Sequence, residues 1–597
     1  MYNIRSFLRR ALPLAALLAL APPLARAQGD AVVRGRVTAA DGAPVAGAFI
    51  IVDSATQPST QTDAAGRYSI NGLTGGAHTI TARRAEFRPA TISVIAGDSA
   101  IAADIVLQPA ATALAAVTVI GSRGDLAETR ARLQQVPGAV ALIDRSAIAS
   151  TRQANLNDVL RMTPGVYVQS RFGAADESQI SVRGSGLRSN FHARGINLLV
   201  NGMPYRNADG FTDFESLELL TTEAIEVYKG ANAFRYGGST LGGAINMQTK
   251  TGRTASPLGI FAEGGSYGFR KGQLSSGAEH GAFDYYASFA RTSLDGYRRW
   301  SDQGRDRFNF HAGYRLTPTI DARAFYMAAK VHEHLPGSVD AATLDSAPRR
   351  ADPVNVANRW GREYTLHHLG VQLRTQLSAT QRLEVSPYMQ YRDIDHPIFE
   401  VIAQVSHDWG AELRYENTAM LGARANRLTV GFQPATLTMQ NRQYVNAGGA
   451  HGALTRDEVD RVGTSALYAE DAVGMTPRLT LTAGARIDRT TRRVEDRFLG
   501  NGDQSDVQRL TPVTPRAGLL WSLGSTGQLF ANASRTVEPP LLLELTSFGN
   551  PGGFNGLRAQ DAWQYELGAR RHGGGTSWEV SAYDVELRNE IANVNVP

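Results

Sequence analysis

The sequence predicts a mainly β protein in three parts: a small β-sandwich, a mixed α/β stretch and a long antiparallel strand array. Three observations carry this. Turn signals recur at short, regular spacing between residues 31 and 110, the strands beyond Leu258 alternate apolar and polar residues, and their connections alternate short and long. The chain has 597 residues, 43% hydrophobic and 20% charged, with 60 glycines and no cysteine. Disulfides, thiolate metal sites and a lipid-anchor cysteine are therefore excluded, and the composition is neither disordered nor collagen-like.

Residues 1–27 read as a signal peptide. Arg5, Arg9 and Arg10 precede the apolar run Ala11–Ala25, and Ala25-Arg26-Ala27 gives a small-residue cleavage pattern. The run is broken by Pro13, Pro22 and Pro23, which argues against a spanning helix. Its removal takes four arginines and no acids from a formal charge of +5, so a nucleic-acid partner is not expected.

Residues 28–110 form the first unit. Asp41-Gly42, Asp63 with Gly66, Asn71-Gly72 and Gly75-Gly76 separate strands at Val32–Val37, Phe49–Asp53, Tyr68–Ile70 and His78–Ala82. The residues Gly35-Arg36-Val37, Asp41-Gly42, Pro44-Val45, Gly47-Ala48, Asp63, Gly66 and Tyr68 resemble the carboxypeptidase regulatory-like domain. The zinc peptidase such domains can accompany needs His and Glu three residues apart, and none of the twelve histidines has that spacing. A linker spans 111–132 and carries Ala116-Val117-Thr118-Val119-Ile120-Gly121, an extended segment suited to strand addition on a partner's sheet edge.

From 133 to 252 the pattern mixes helix and strand. Asn155–Met162 reads as a helix stopped by Thr163-Pro164-Gly165, and Ile180–Arg183, Gly195–Val200, Ile225–Tyr228 and Gly243–Thr249 read as strands.

Residues 253–597 give about fifteen alternating strands. Leu383, Val385, Pro387, Met389 and Tyr391 alternate with Glu384, Ser386, Tyr388, Gln390 and Arg392, and Leu479 to Asp488 repeats the pattern. Soluble sandwiches alternate too, so the connections decide. Short turns (such as 316–319, 377–382, 475–478 and 523–527) take turns with long polar loops at 294–307, 331–363, 393–408, 441–461, 492–509 and 536–563. One tidy end and one elaborate end predict a transmembrane antiparallel β-barrel with periplasmic turns and extracellular loops. Phe283, Tyr285, Phe325, Tyr326, Tyr391 and Tyr468 are candidates for its interfacial girdles. Gly264-Gly265-Ser266-Tyr267-Gly268 fits a nucleophile-elbow pattern, but it falls between two alternating strands, where a hairpin explains it. His332-Glu333-His334 is read as a solvated loop coincidence, and no metal ligand, cofactor or catalytic residue is assigned.

The stretch Leu198–Gly210 (LLVNGMPYRNADG), with Ile225–Gly230, Phe234–Gly237, Gly242–Asn246, Val136-Pro137-Gly138, Thr163–Val166 and Arg183-Gly184, resembles the plug domain of TonB-dependent outer-membrane receptors of the ferric citrate and siderophore type. Ala483–Asp488 and Tyr565–Gly568 are similar to barrel segments of the same family. The resemblance implies a 22-stranded type of barrel, incomplete at its C-terminal end after about fifteen strands, in the outer membrane of a Gram-negative bacterium.

It also implies roles. Val117, Thr118, Val119 and Ile120 would be the TonB box, engaged by TonB with ExbB and ExbD as energy source. Arg183 and Arg235 would be plug arginines that pair with the barrel carboxylates Glu566 and Glu470. Arg188, Asn190, His192, Arg194 and Arg206 form a cationic, hydrogen-bonding set at the plug apices, suited to an anionic ferric chelate. Barrel lipid contacts follow from the fold. The same architecture importing a glycan, peptide or other organic nutrient is the alternative expectation, and an outer-membrane barrel enzyme or adhesin a remoter one.

Overall fold

The computed structural model describes residues 31–53, 59–84, 87, 89–97, 100–108, 126–170, 178–188, 193–238, 240–546, 553–573 and 576–592. Residues 1–27 and the segment Val117–Ile120 lie outside them. Two compact units are present, one up to Ala111 and one from Thr112.

The first unit is a sandwich of two four-stranded sheets. One pairs Ala31–Ala39 with Arg67–Leu73, Ile101–Ala102 and Ile105–Leu107; the other runs Thr60–Gln61, Phe49–Val52, Gly76–Arg83, Ala90–Ala96. Val33, Val37, Ile50, Ile80, Ile105 and Leu107 close the apolar core between them. The Tyr68 hydroxyl enters that core because it donates to the Ala103 carbonyl at 2.5 Å, which satisfies a group burial would otherwise penalise.

The second unit begins with the α/β plug. Its five-stranded sheet runs Met203–Pro204, Ile196–Val200, Gly243–Thr249, Thr222–Lys229, Val140–Asp144, with Ile196–Val200 parallel to Gly243–Thr249 and the other pairs antiparallel. The helix Leu156–Leu160 starts at a capping box, in which Asn155 accepts from the Asp158 amide and Asp158 accepts from the Asn155 amide. Gly243 has φ +133, and a Cβ there would stand 1.9 Å from the Tyr228 carbonyl oxygen, so the close strand approach requires glycine.

Around the plug winds a single antiparallel meander of sixteen recorded strands: Gly259–Gly264, Arg270–His280, Phe283–Leu294, Gln303–Thr317, Ile320–His334, Gly361–Gln376, Gln381–Pro397, Glu400–Asn417, Asn426–Ala447, Ala450–Thr476, Leu479–Asp496, Asp506–Leu510, Val513–Leu523, Gly527–Glu538, Gln560–Gly573 and Thr576–Arg588. Asp506–Leu510 and Val513–Leu523 pair with the upper and lower parts of the same neighbour, Leu479–Asp496, so together they make one pass of the wall. Among the described residues the first and last strands do not pair with each other.

The wall is inside-out relative to a soluble protein. Ile260 is 77% and Leu567 65% exposed on its outer face, while Asp284 and His311 are fully buried on the inner one. Apolar side chains pointing out and charged ones pointing in require lipid outside and a polar interior. No helix among the described residues is long and apolar enough to cross a membrane. The strands cross instead.

An outward row marks the extracellular interface. Phe308, Tyr326, His367, Tyr391 and His407 follow one another across five adjacent strands, with ring centroids 6.2, 6.1, 6.0 and 5.1 Å apart. Of the girdle candidates, Tyr326 and Tyr391 lie in this row, whereas Phe325 and Tyr468 point inward and are 4% and 1% exposed. Strand parity puts them there: each is one residue out of step with the lipid-facing set.

Two expected loops are strands. Residues 393–408 and 441–461 belong to the hairpins Gln381–Pro397/Glu400–Asn417 and Asn426–Ala447/Ala450–Thr476. The longest strand has 27 residues, whereas about ten suffice to cross a bilayer. Above the lipid both faces meet water, so the apolar alternation fades while backbone pairing continues. Ser266 sits in the turn between Gly259–Gly264 and Arg270–His280, which is an antiparallel hairpin and not a strand-to-helix elbow.

Candidate functional site

The plug reaches toward the elaborate end of the barrel with the loop Asn207–Phe211. The Asn207 amide donates to the Phe211 carbonyl at 2.8 Å, Gly210 to Asn207 at 2.9 Å, and Asp209 Oδ1 accepts from the Phe211 amide at 3.1 Å. The wall holds this turn: Gln390 Nε2 donates to Asn207 Oδ1 at 2.9 Å, Asp408 accepts from the Ala208 amide at 2.8 Å, and Arg492 donates to the Asp209 carbonyl at 3.1 Å.

The turn forms the floor of a cavity of about 270 Å³. Its walls include Ile394, Ile398, Phe399, Ile402 and Met439, and the short helix Leu542–Leu545 covers it with Leu542 and Leu543. Arg362, Arg392, Arg456 and His396 face it together with Asp209 and Asp460. Arg392 also stacks over the Phe211 ring, 4.8 Å from its centroid. The chamber is thus an apolar cup with fixed guanidinium groups, capable of holding a bulky solute by its apolar flanks and its acceptor oxygens. A smaller cavity of about 90 Å³ lies nearby, lined by Arg206, Tyr236, Tyr388, Glu412, Arg486 and Asp488 among others.

Charged clusters join plug to wall. Arg183 pairs with Glu566, which also accepts from Asn232 Nδ2 at 2.9 Å, Asn532 Nδ2 at 2.8 Å and the Ala139 amide at 3.2 Å. Arg183 has φ +55, a strained setting for a residue with a Cβ, and its guanidinium lies 4.5 Å from the Tyr583 ring centroid. Arg235 reaches Glu470 at 2.8 Å and Glu416 at 3.8 Å, and Glu470 holds Arg516 at 3.0 Å. Burial alone would lower the Arg235 pKa, yet the two carboxylates reverse that and hold it above the ordinary guanidinium value.

Two clusters gave no signal in the sequence. Asp213 pairs with Arg362 and, at 2.7 Å, with Arg392; Glu215 lies 3.2 Å from Arg362 and accepts from the Tyr364 hydroxyl at 3.0 Å. Glu218 is fully enclosed between Lys271 at 2.8 Å and Arg307 at 2.6 Å. Burial raises its carboxyl pKa, but those two cations outweigh burial and bring it below the usual range. The acids stand within six residues of one another, but their partners come from distant strands, which no local spacing encodes.

The expected apical set divides. Asn190 and His192 lie outside the described residues. Arg188 is exposed and 3.2 Å from Glu590. Arg194 is not on a surface: it is buried, with Nη1 3.0 Å from Glu544 and 3.6 Å from Glu538. Polar neighbours in sequence suggested solvent, whereas the barrel carboxylates that claim Arg194 lie more than 300 residues away. Arg206 faces the smaller cavity, with its pKa lowered chiefly by burial.

Family comparison matches residues 249–597 to the TonB dependent receptor-like β-barrel, 132–244 to the TonB-dependent receptor plug domain and 32–108 to the carboxypeptidase regulatory-like domain. The chain is 29% identical over 143 residues to the vitamin B12 transporter BtuB of Vibrio cholerae serotype O1, a match covering 24% of this chain and 22% of that one. It is 25% identical over 579 residues to the rhizobactin receptor of Rhizobium meliloti, covering 81% and 74%. The ferric citrate transporter FecA in its unliganded form superposes with a TM-score of 0.67 at 19% identity, over 79% of this chain and 73% of that chain. The barrel match alone takes in more than half of the residues, and the chain belongs to the TonB-dependent receptor family.

Proposed function

We propose that the protein imports a ferric siderophore or ferric citrate-like chelate across the outer membrane, driven by TonB with ExbB and ExbD. The chamber over Asn207–Phe211 is the observation that carries this reading. Arg362, Arg392 and Arg456 suit the carboxylate or catecholate oxygens of a chelate. Phe211, Phe399, Ile394, Ile398, Leu542 and Leu543 favour a ligand with substantial apolar surface, a siderophore more than a bare citrate complex. Ligand seated on the plug apex bears on the sheet that runs down to Val140–Asp144 and the helix Leu126–Gln134, the described element nearest to the TonB box. Arg183, Arg235, Glu470 and Glu566 are then the contacts a pull on the plug must break.

The test is uptake of iron-55 chelates by whole cells. Thr118→Pro or Val119→Pro should abolish uptake and leave surface binding intact, because proline blocks strand addition. Phe399→Ala should weaken chelate binding about tenfold, roughly 1.4 kcal/mol. Unimpaired uptake in the proline variants would refute the TonB-driven route. Induction by a sugar in place of repression by iron would refute the chelate.

A further inference from the structure

Parity along Ile320–His334 separates two sets of side chains. Phe325, Met327, Ala329 and Val331 are buried against the interior, and Glu333 continues that set by pairing with Arg305 at 2.8 Å. His332 and His334 therefore point outward, on the side of the wall away from the chamber. They stand six and eight residues beyond Tyr326 of the outward aromatic row, roughly 20 and 26 Å further along the strand, and so above the lipid.

There they meet Asp302, which precedes the strand Gln303–Thr317. Its Oδ1 lies 2.7 Å from His334 Nδ1 and its Oδ2 3.5 Å from His332 Nε2. One ligand atom from each of the three residues falls within 4.8 Å of the other two. Tetrahedral zinc needs separations of about 3.3 Å, which small side-chain rotations supply. We propose that Asp302, His332 and His334 form a binding site for a borderline divalent transition metal of the zinc, copper(II) or nickel class on the outer rim of the barrel.

Three features hold the ligands in place. Glu363 Oε1 lies 2.8 Å from His332 Nδ1, which fixes the proton on Nδ1 and leaves the Nε2 lone pair facing Asp302. That carboxylate–imidazole pairing is how metal-binding histidines are oriented. Trp300 stacks on His334 with centroids 3.8 Å apart and donates its indole N–H to the Trp360 carbonyl at 2.7 Å. The His334 amide donates to the Asp302 carbonyl at 3.0 Å, which locks the loop onto the strand. Two imidazoles and one carboxylate favour zinc, copper or nickel over calcium or magnesium, whose sites are built from oxygen. The two acids facing the pair, Asp302 and Glu363, balance a divalent charge. All three ligands are partly exposed, so a further coordination position opens to solvent.

The experiment uses the full, tag-free chain in detergent micelles. Zinc chloride titrated by calorimetry should bind at micromolar concentration, and nickel or copper(II) should quench the fluorescence of Trp300 saturably. His332→Ala and His334→Ala should abolish the site, and Glu363→Gln should weaken it 10- to 100-fold. Trp300→Phe should remove the saturable quench and keep zinc binding. Asp302→Asn is the second variant should a histidine variant fail to insert. No saturable binding at neutral pH, or binding unchanged in the His332 and His334 variants, overturns the site. Chelate uptake by these variants is a separate readout, because the site lies across the wall from the chamber.

Discussion

The plug meets its wall in two chemically different ways. Toward the strands Ile320–His334, Gly361–Gln376 and Gln381–Pro397, its core runs on into the barrel beside the buried pairs of Asp213 and Glu215 with Arg362 and Arg392: Phe214, Leu217, Ile225 and Val227 share one apolar cluster with Met327, Val331, Leu366 and Ile394. Toward Gly527–Glu538 and Gln560–Gly573 the grip is mainly polar. Asn532 donates to the Pro137 carbonyl at 2.8 Å, Gln564 to Leu241 at 2.9 Å, and Arg570 to the carbonyls of Gln134, Val136 and Gly138 at 2.7, 2.9 and 3.1 Å. Water can replace a polar contact at modest net cost, since the groups are rehydrated as they part. It offers nothing to an apolar face. One side of the plug is an anchor and the other a seam that can be rewetted.

The largest effect should come from the anchor. Phe214→Ala should cost about 4 kcal/mol, seen as a lower melting temperature and earlier proteolysis of residues in the plug. Next comes the seam. Glu566→Ala leaves Arg183 buried without its carboxylate and should cost about 3 kcal/mol, while Glu566→Gln keeps the shape and should cost less. Hydrogen exchange is the sharper readout for this pair. In Glu566→Ala the amides of Gln134, Gln135, Val136, Gly138 and Ala139 should exchange faster while those of Thr222–Lys229 hold. Equal acceleration on both sides would break the distinction. The smallest effect belongs to Arg188→Ala, whose exposed pair with Glu590 should be worth under about 1 kcal/mol in denaturant titration.

The strand array and its two unlike ends were legible from alternation and turn spacing, because lipid on one face and polar side chains on the other imprint period two on every pass. The register was legible along runs such as Leu383–Arg392, but not at Phe325 and Tyr468, which read as girdle aromatics although each sits one residue out of step with the outer face. What could not be read were the tall hairpins at 393–408 and 441–461, where water on both faces erases the pattern, and the partners of buried charges. Arg194 looked like a surface residue because its neighbours are polar, and nothing near it in sequence points to Glu538 or Glu544. Asp213, Glu215 and Glu218 were silent for the same reason. The histidine pair at 332 and 334 was visible, but Asp302 and Glu363 join it only through strand pairing.

The 27-residue strand has a consequence for how solutes arrive. At about 3.3 Å per residue it measures roughly 90 Å, and tilted at about 45° it still rises some 60 Å, twice the hydrocarbon thickness. With its 22-residue partner it makes a stiff chimney and not a fringe of loops. A wall of paired backbone cannot fold down over the mouth, so this flank of the entrance is fixed, and the short helix Leu542–Leu545 reaches it across the chamber, where Leu542 packs in one apolar cluster with Leu437, Met439 and Val462 of the tall hairpin. A solute approaching the chamber then meets a fixed wall along this hairpin and not a loop that closes behind it.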